Sequence, residues 1–184
     1  MASEVLSPGT VVNDSSFGDV AWGAGTLNNC KVSDDSYTTV SVGAIIPNSN
    51  YLKPTNYAST IPDGSTGITV VLNLERSGGS NLKDARIRLV VGGVIGSTEY
   101  KVVGNWPGTD AVQAYDFSAE NPTPAQIRAS DFGVAIAVEW VSGSAPQAKV
   151  DHAPLTISWT APSGGSIRRR QVRRLTEHSE LDTY

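Results

Sequence analysis

The sharpest hydrophobic pattern in the chain runs from Ala129 to Ala161. Phe132, Val134, Ile136, Val138 and Trp140 occupy alternate positions, separated by Gly133, Ala135, Ala137 and Glu139. A period of two over this run lays one apolar row along one face of a β-strand. Ser142 to Gln147 supplies turn residues, and beyond them Leu155, Ile157 and Trp159 alternate with Thr156, Ser158 and Thr160. Two such runs joined by a turn-rich loop predict an antiparallel hairpin with one buried face. Its two Trp would fill much of a core, since each aromatic side chain buries roughly 150–250 Å².

The same alternation recurs upstream. Residues 1–20 are polar with scattered Val and Leu, and read as an extended lead-in that pairs at a sheet edge. Tyr37 to Ile46 is rich in β-branched residues and predicts a strand. Pro47 to Asn56 has no period and reads as a surface loop. Ile68, Val70, Leu72 and Leu74 alternate with Thr69, Val71, Asn73 and Glu75, and Arg76 to Ser80 closes that strand. Ala85, Ile87, Leu89 and Val91 form the next inward row, with Arg86 and Arg88 outward and paired with acids. Gly92-Gly93 suits a type I′ turn, and Val94-Ile95 begins the return strand. Gly96 to Gly104 predicts a further strand, and Ala111 to Phe117 a weaker one. The one helix signal is Thr123-Pro124-Ala125-Gln126, a capping box with Pro at the first helical position. Asp131 and Gly133 limit that helix to about two turns. Together these predict an all-β fold: an antiparallel β-sandwich or jelly roll of about eight strands, with one short helix and an extended C-terminal arm.

Composition sharpens this picture at one point. The 184-residue chain has 17% charged residues, 18 Gly and 10 Pro, which suits short strands and many turns. No apolar run is long enough for a membrane-spanning helix, and MASEVLSPGT lacks the basic start and apolar run of a signal peptide. The single Cys, Cys30, excludes an internal disulfide and fits a reducing compartment. Residues 1–162 carry nine Lys/Arg against fifteen Asp/Glu, a net −6, whereas residues 163–184 carry five Arg against three acids, a net +2. The sign changes at Pro162-Ser163-Gly164-Gly165-Ser166, a flexible linker composition. That places a sandwich domain over 1–162 and a linker with a basic arm over 163–184.

Residue chemistry alone does not state a function. Neither His152 nor His178 has the neighbouring ligands a zinc site needs. Asp151-His152 is the one candidate acid/base pair, and a satisfied side chain beside Ala153-Pro154 is the preferred reading. Asp34-Asp35 lacks the acidic spacing of a calcium loop, and no glycine-rich stretch has the Lys-Ser/Thr of a phosphate loop. No nucleophile elbow is present. The expectation is a protein without catalytic residues, cofactor or metal. Trp22, Tyr57 and Trp106 could stack on sugars, although core packing is the preferred reading for them.

The arm carries the interaction signal. Arg168, Arg169, Arg170, Arg173 and Arg174 fall within one short run, with Ile167, Val172, Leu175 and Leu181 interleaved. Glu177, Glu180 and Asp182 follow, which argues against a tail built only to grip nucleic-acid phosphate. Mixed charge, apolar anchors and a terminal Tyr184 predict docking onto a protein surface, with folding on binding. The arginines would pair with acidic rows, while Leu175, Leu181 and Tyr184 would fill apolar pockets.

An ordered series of short motifs carries a family resemblance. It begins at Trp22 with Ser33-Asp34-Asp35-Ser36-Tyr37, then runs through Ile61-Pro62, Gly67-Ile68-Thr69-Val70 and Leu74-Glu75-Arg76. It continues with Asp84-Ala85-Arg86-Ile87-Arg88-Leu89, Trp106, Thr123-Pro124-Ala125-Gln126-Ile127 and Asp131-Phe132-Gly133-Val134. It ends at Ala148-Lys149-Val150-Asp151-His152-Ala153-Pro154-Leu155-Thr156-Ile157. Over residues 15–161 this resembles a β-sandwich module of tailed-bacteriophage structural proteins. The resemblance implies a non-enzymatic virion component, assembled in the host cytoplasm: a capsid decoration protein, head fibre or minor tail protein. Its partners would be capsid or tail subunits and further copies of itself in a closed ring, with a trimer expected. The alternative is a minor tail or receptor-recognition protein with a carbohydrate-binding sandwich. The arm lies outside the resemblance.

Overall fold

The structure, a computed structural model, describes residues 1–144 and 146–162. The predicted arm, with Arg168, Arg169, Arg170, Arg173, Arg174, Leu175, Leu181 and Tyr184, lies outside the described residues. Two antiparallel sheets pack face to face, so the all-β sandwich reading holds. Among the described residues there are eleven strands rather than about eight.

The spine of sheet I is the long strand β5 (Thr66–Ser77). Along one edge of it lies β8 (Ala111–Asp116). Along the other edge β10 (Gln147–His152) and β11 (Leu155–Thr160) lie end to end, interrupted at Ala153-Pro154. Proline has no amide to give the ladder, so the pairing breaks there. Outside them lie β3 (Thr38–Ser41), paired with β10, and β1 (Ala2–Leu6), paired with β11. Sheet II runs in the order β2 (Thr10–Asp14), β4 (Tyr51–Thr55), β9 (Gly133–Trp140), β6 (Leu82–Val91) and β7 (Val94–Ile95). The lead-in therefore does pair at sheet edges, through β1 and β2.

The predicted hairpin is corrected. β9 is the middle strand of sheet II, whereas β10 and β11 belong to sheet I. Their apolar rows meet across the core instead of lying side by side, and Ile136, Val138, Leu155 and Ile157 share one cluster with Leu72 and Leu74. Period-two alternation reports which face is buried and is silent on which sheet a strand joins. β9 is also buried on both faces. Ala135 and Ala137 sit under Tyr51, with Phe17 and Ile95 packed against this second cluster. Gly133 is required there, because a Cβ would lie 2.1 Å from the Pro54 carbonyl oxygen of β4.

Three further expectations change. Pro47 to Asn56 contains β4, an interior strand whose Tyr51 and Leu52 are buried. Gly96 to Gly104 forms no strand; it is an irregular loop that lays Glu99 against β6. The Tyr37–Ile46 strand is confined to Thr38–Ser41. Two local readings hold in detail. Gly92 and Gly93 both have positive φ, at 59° and 74°, as a type I′ turn needs. α1 (Pro124–Arg128) has the complete capping box, with Thr123 and Gln126 each bonding the other's backbone.

Candidate docking surface and buried polar centre

Among the described residues, one ion pair lies buried inside the sandwich. β5 does not end at Glu75; it continues to Ser77, so Arg76 prolongs the inward row Val70, Leu72, Leu74. On β6 a bulge at Ala85 resets the alternation, so Asp84 faces the core together with Ile87 and Leu89. Arg76 Nη1 donates to Asp84 Oδ1, which ties sheet I to sheet II. Trp106 Nε1 donates to the same oxygen at 2.8 Å. The Tyr115 hydroxyl donates to Oδ2 at 2.9 Å, and the Val102 amide does so at 3.2 Å. The guanidinium carbon lies 4.9 Å from the Trp106 ring centre and 5.6 Å from that of Tyr115. Burial beside Asp84 drives the Tyr115 hydroxyl far above its ordinary titration range.

This carboxylate already accepts two donors at each oxygen, which fills its capacity. It can hold two sheets together; it has no lone pair left to take a substrate proton. In the sequence Arg76 falls on the inward parity of its strand, but Asp84 falls on the outward parity with Arg86 and Arg88, and only the bulge at Ala85 brings it inward.

The residues singled out for chemistry are dispersed. His152 Nε2 and Ser7 Oγ form a 2.8 Å hydrogen bond, and burial lowers the histidine's pKa. Asp151 is buried, accepts weakly from the Asp34 amide at 3.4 Å, and has no hydrogen bond with His152. Cys30 is buried under the turn Leu27–Cys30, and that burial pushes its thiol up to about 11, so the thiolate is suppressed at neutral pH. Among the described residues no group of three or more His, Cys, Asp or Glu is placed to hold a metal ion. Trp22, Tyr57 and Trp106 are all buried. Trp22 Nε1 donates to the Asn50 carbonyl at 2.9 Å, and the Tyr57 hydroxyl donates to that of Ala153 at 2.9 Å. No face of these rings is open to a sugar, and the core reading holds for each.

Among the described residues, the turn after β3 forms an apolar tip. After β3 the chain turns tightly, and the Gly43 amide donates to the Ile46 carbonyl at 3.1 Å. This leaves Ile45 96% exposed and Ile46 43% exposed. Beside them opens a shallow cleft of about 490 Å³, lined by Val20, Val42, Ala44, Ile45, Ile46 and Gly143. Two adjacent exposed aliphatic side chains beside an apolar cleft give this end of the sandwich a surface on which a protein partner could pack. The sequence contained this signal in the pair Ile45-Ile46, which the strand reading absorbed.

The tip lies where Ser41 faces Gln147, at one end of sheet I. Thr160, the last strand residue, faces Thr66 at the other end. The tip and Thr160 thus stand at opposite ends of sheet I. No protein-family model and no curated protein matches the chain.

Proposed function

We propose that this chain is a non-enzymatic structural component of a tailed-phage virion, a capsid decoration or minor capsid protein. The observation that carries the proposal is the extent of the sandwich. Every described strand lies between Ala2 and Thr160, and the basic run of the sequence begins only at Arg168. In this reading residues 163–184 engage a neighbouring capsid subunit. The motif series over residues 15–161 supports the virion assignment. The saturated Asp84 and the separated Asp151 and His152 support a role without catalysis. The exposed tip at Ile45 and Ile46 suits a fixed contact with protein at the end of sheet I opposite Thr160. In this reading Arg168, Arg169, Arg170, Arg173 and Arg174 pair with acidic rows of the capsid subunit. Leu175, Leu181 and Tyr184 enter its apolar pockets.

The test is particle composition. Mass spectrometry of purified particles from the genome encoding the chain is expected to find it in many copies per particle. A chain ending at Pro162, which retains all eleven described strands, is expected to be lost from particles while remaining folded. Absence of the full chain from particles, or unchanged incorporation of the shortened chain, would overturn the proposal.

A further inference from the structure

β8 is the outermost strand of sheet I beside β5, and no described strand covers its second edge. The Phe117 amide donates to the Val70 carbonyl at 2.8 Å, which fixes the antiparallel alternation. Counting back by twos, the backbone groups of Tyr115, Gln113 and Ala111 turn toward β5. Those of Asp116, Ala114 and Val112 turn outward. All three of these residues are exposed, Val112 at 62%. Among the described residues, the one hydrogen bond to their outward backbone groups is local: Gln113 Nε2 donates to the Ala114 carbonyl at 3.0 Å.

Sheet edges left in water are ordinarily blunted by brevity, a lysine, a proline or a bulge. β7 has two residues and β3 has four. β1 carries Glu4, and β2 ends in the ion-paired Asp14 with its Asn13 side chain bonded to the Trp22 amide. β8 has six residues, no lysine, no proline, no register shift, and no charge before Asp116.

We propose that this edge pairs antiparallel with β8 of a second copy, about a twofold axis at Ala114. The register follows from the strand itself. Only a centre at Ala114 engages all three outward residues of both strands, with Ala114 opposite the partner's Ala114 and Val112 opposite the partner's Asp116. Six backbone hydrogen bonds result, two for each of three facing pairs. Moving the centre to Tyr115 loses a facing pair, and moving it to Asp116 sets two carboxylates against each other. In this register each Asp116 faces an uncharged Val112 and no like charges meet, so a second copy supplies an edge that β8 can pair with along its whole length. Two four-row sheets joined this way make eight rows, within the ordinary size of a sheet. This contact stands independently of the particle assignment and does not involve the arm.

The experiment is sedimentation equilibrium on the full chain and on Ala114 variants. The Ala114 amide points away from β5, so Ala114→Pro removes no bond inside the sandwich while removing two from the interface, one from each copy. Ala114→Lys and Ala114→Asp each place like charges at the twofold axis. The full chain is expected to be a dimer, and each variant to weaken dimerisation at least tenfold with an unchanged circular dichroism spectrum. Mixing the Ala114→Lys chain with the Ala114→Asp chain is expected to restore a mixed dimer, which no general loss of folding could do. In the unsubstituted chain, the Val112, Ala114 and Asp116 amides should exchange slowly at high concentration and quickly on dilution. A full chain monomeric at millimolar concentration would overturn the proposal. So would an oligomer indifferent to all three variants, or one lost only when residues 163–184 are removed.

Discussion

The outer faces of the two sheets are finished differently. Sheet II is dressed in charge: Lys53 pairs with Asp14, Lys83 with Glu139, and Arg86 and Arg88 both with Glu99. Phe17 packs on Tyr51 with ring centres 5.4 Å apart, and the Arg86 guanidinium lies 5.3 Å from the Phe17 ring. Across β1, β11 and β5, sheet I instead presents Val5, Thr69, Val71, Asn73, Thr156 and Ser158, tied by short bonds such as Asn73 to Thr156 at 2.9 Å. None of the ion pairs among the described residues joins outward positions of this sheet. Charges scattered over a sheet face oppose stacking and strand addition, because any partner would have to desolvate them. Sheet II is closed to company by these ion pairs, while the outer face of sheet I carries Glu75, Asp116 and Lys149 without an ion pair among the described residues and, at β8, an edge with no charge before Asp116.

The largest effect should come from the interior link that both faces depend on. Arg76→Ala leaves Asp84 buried without its counterion, and removing one partner of such a pair costs about 3–5 kcal/mol. A loss of unfolding free energy of that size, read as a lower urea midpoint at unchanged slope, is expected, with both sheets losing exchange protection together. Replacing both partners, Arg76→Met with Asp84→Leu, should recover only part of the loss. The Trp106 and Tyr115 donors and the Val102 amide would then lack the acceptor they now share. Full recovery would mean that the loss in Arg76→Ala is the cost of an unpaired buried carboxylate alone, and that the four-donor centre adds nothing beyond it.

A smaller effect should be confined to sheet II. Glu99 accepts from the Ile87 amide at 2.6 Å and from both Arg86 and Arg88. Glu99→Ala strands that amide and frees the loop 96–104, at a cost of about 1–3 kcal/mol. Hydrogen exchange should quicken at Ile87 and along β6 and β7, with β8 and β11 unchanged. Equal quickening in sheet I would erase the distinction between the faces.

These contrasts mark how far the sequence could be read. Burial of Ile68–Leu74, Phe132–Trp140 and Leu155–Trp159 was legible, because a period of two depends only on the strand's own geometry. The Gly92-Gly93 turn and the Thr123 capping box were legible for the same local reason. Sheet membership was not, since β9 and β11 show the same alternation whether they share a sheet or face each other. β4 was missed because Tyr51-Leu52-Lys53-Pro54-Thr55 lies inside a sheet with both faces engaged, which removes alternation, and because Pro54 argues against a strand. The Arg76–Asp84 centre required knowing that two inward charges, eight positions apart in the chain, sit on opposite sheets. The apolar tip was read as strand because β-branched residues score alike in a sheet and in an exposed turn.

The smallest effect separates the faces by pH alone. Asp14 is held at about 2, below its ordinary 3.8, first by the hydrogen bond from Lys53 and then by those from Ser16. A carboxylate whose pKa is lower in the folded chain adds stability that is fully present above the unfolded value. That stability drains away as pH falls through the folded one. The window is therefore about pH 4 down to 2. Asp14 and Lys53 keep about a fifth of their side-chain surface in water, at 21% and 19%. Screening therefore holds the contribution to about 0.5–1 kcal/mol. Acid titration followed by hydrogen exchange should loosen the β2–β4 pairing across that window while β1–β11, joined by Ser158 to Ser3 without an ion pair, stays protected. Lys53→Met should shrink the difference, leaving only the part that the Ser16 hydrogen bonds to Asp14 hold. Simultaneous loosening of β1 and β2 would show that sheet I has an acid-sensitive tie of its own.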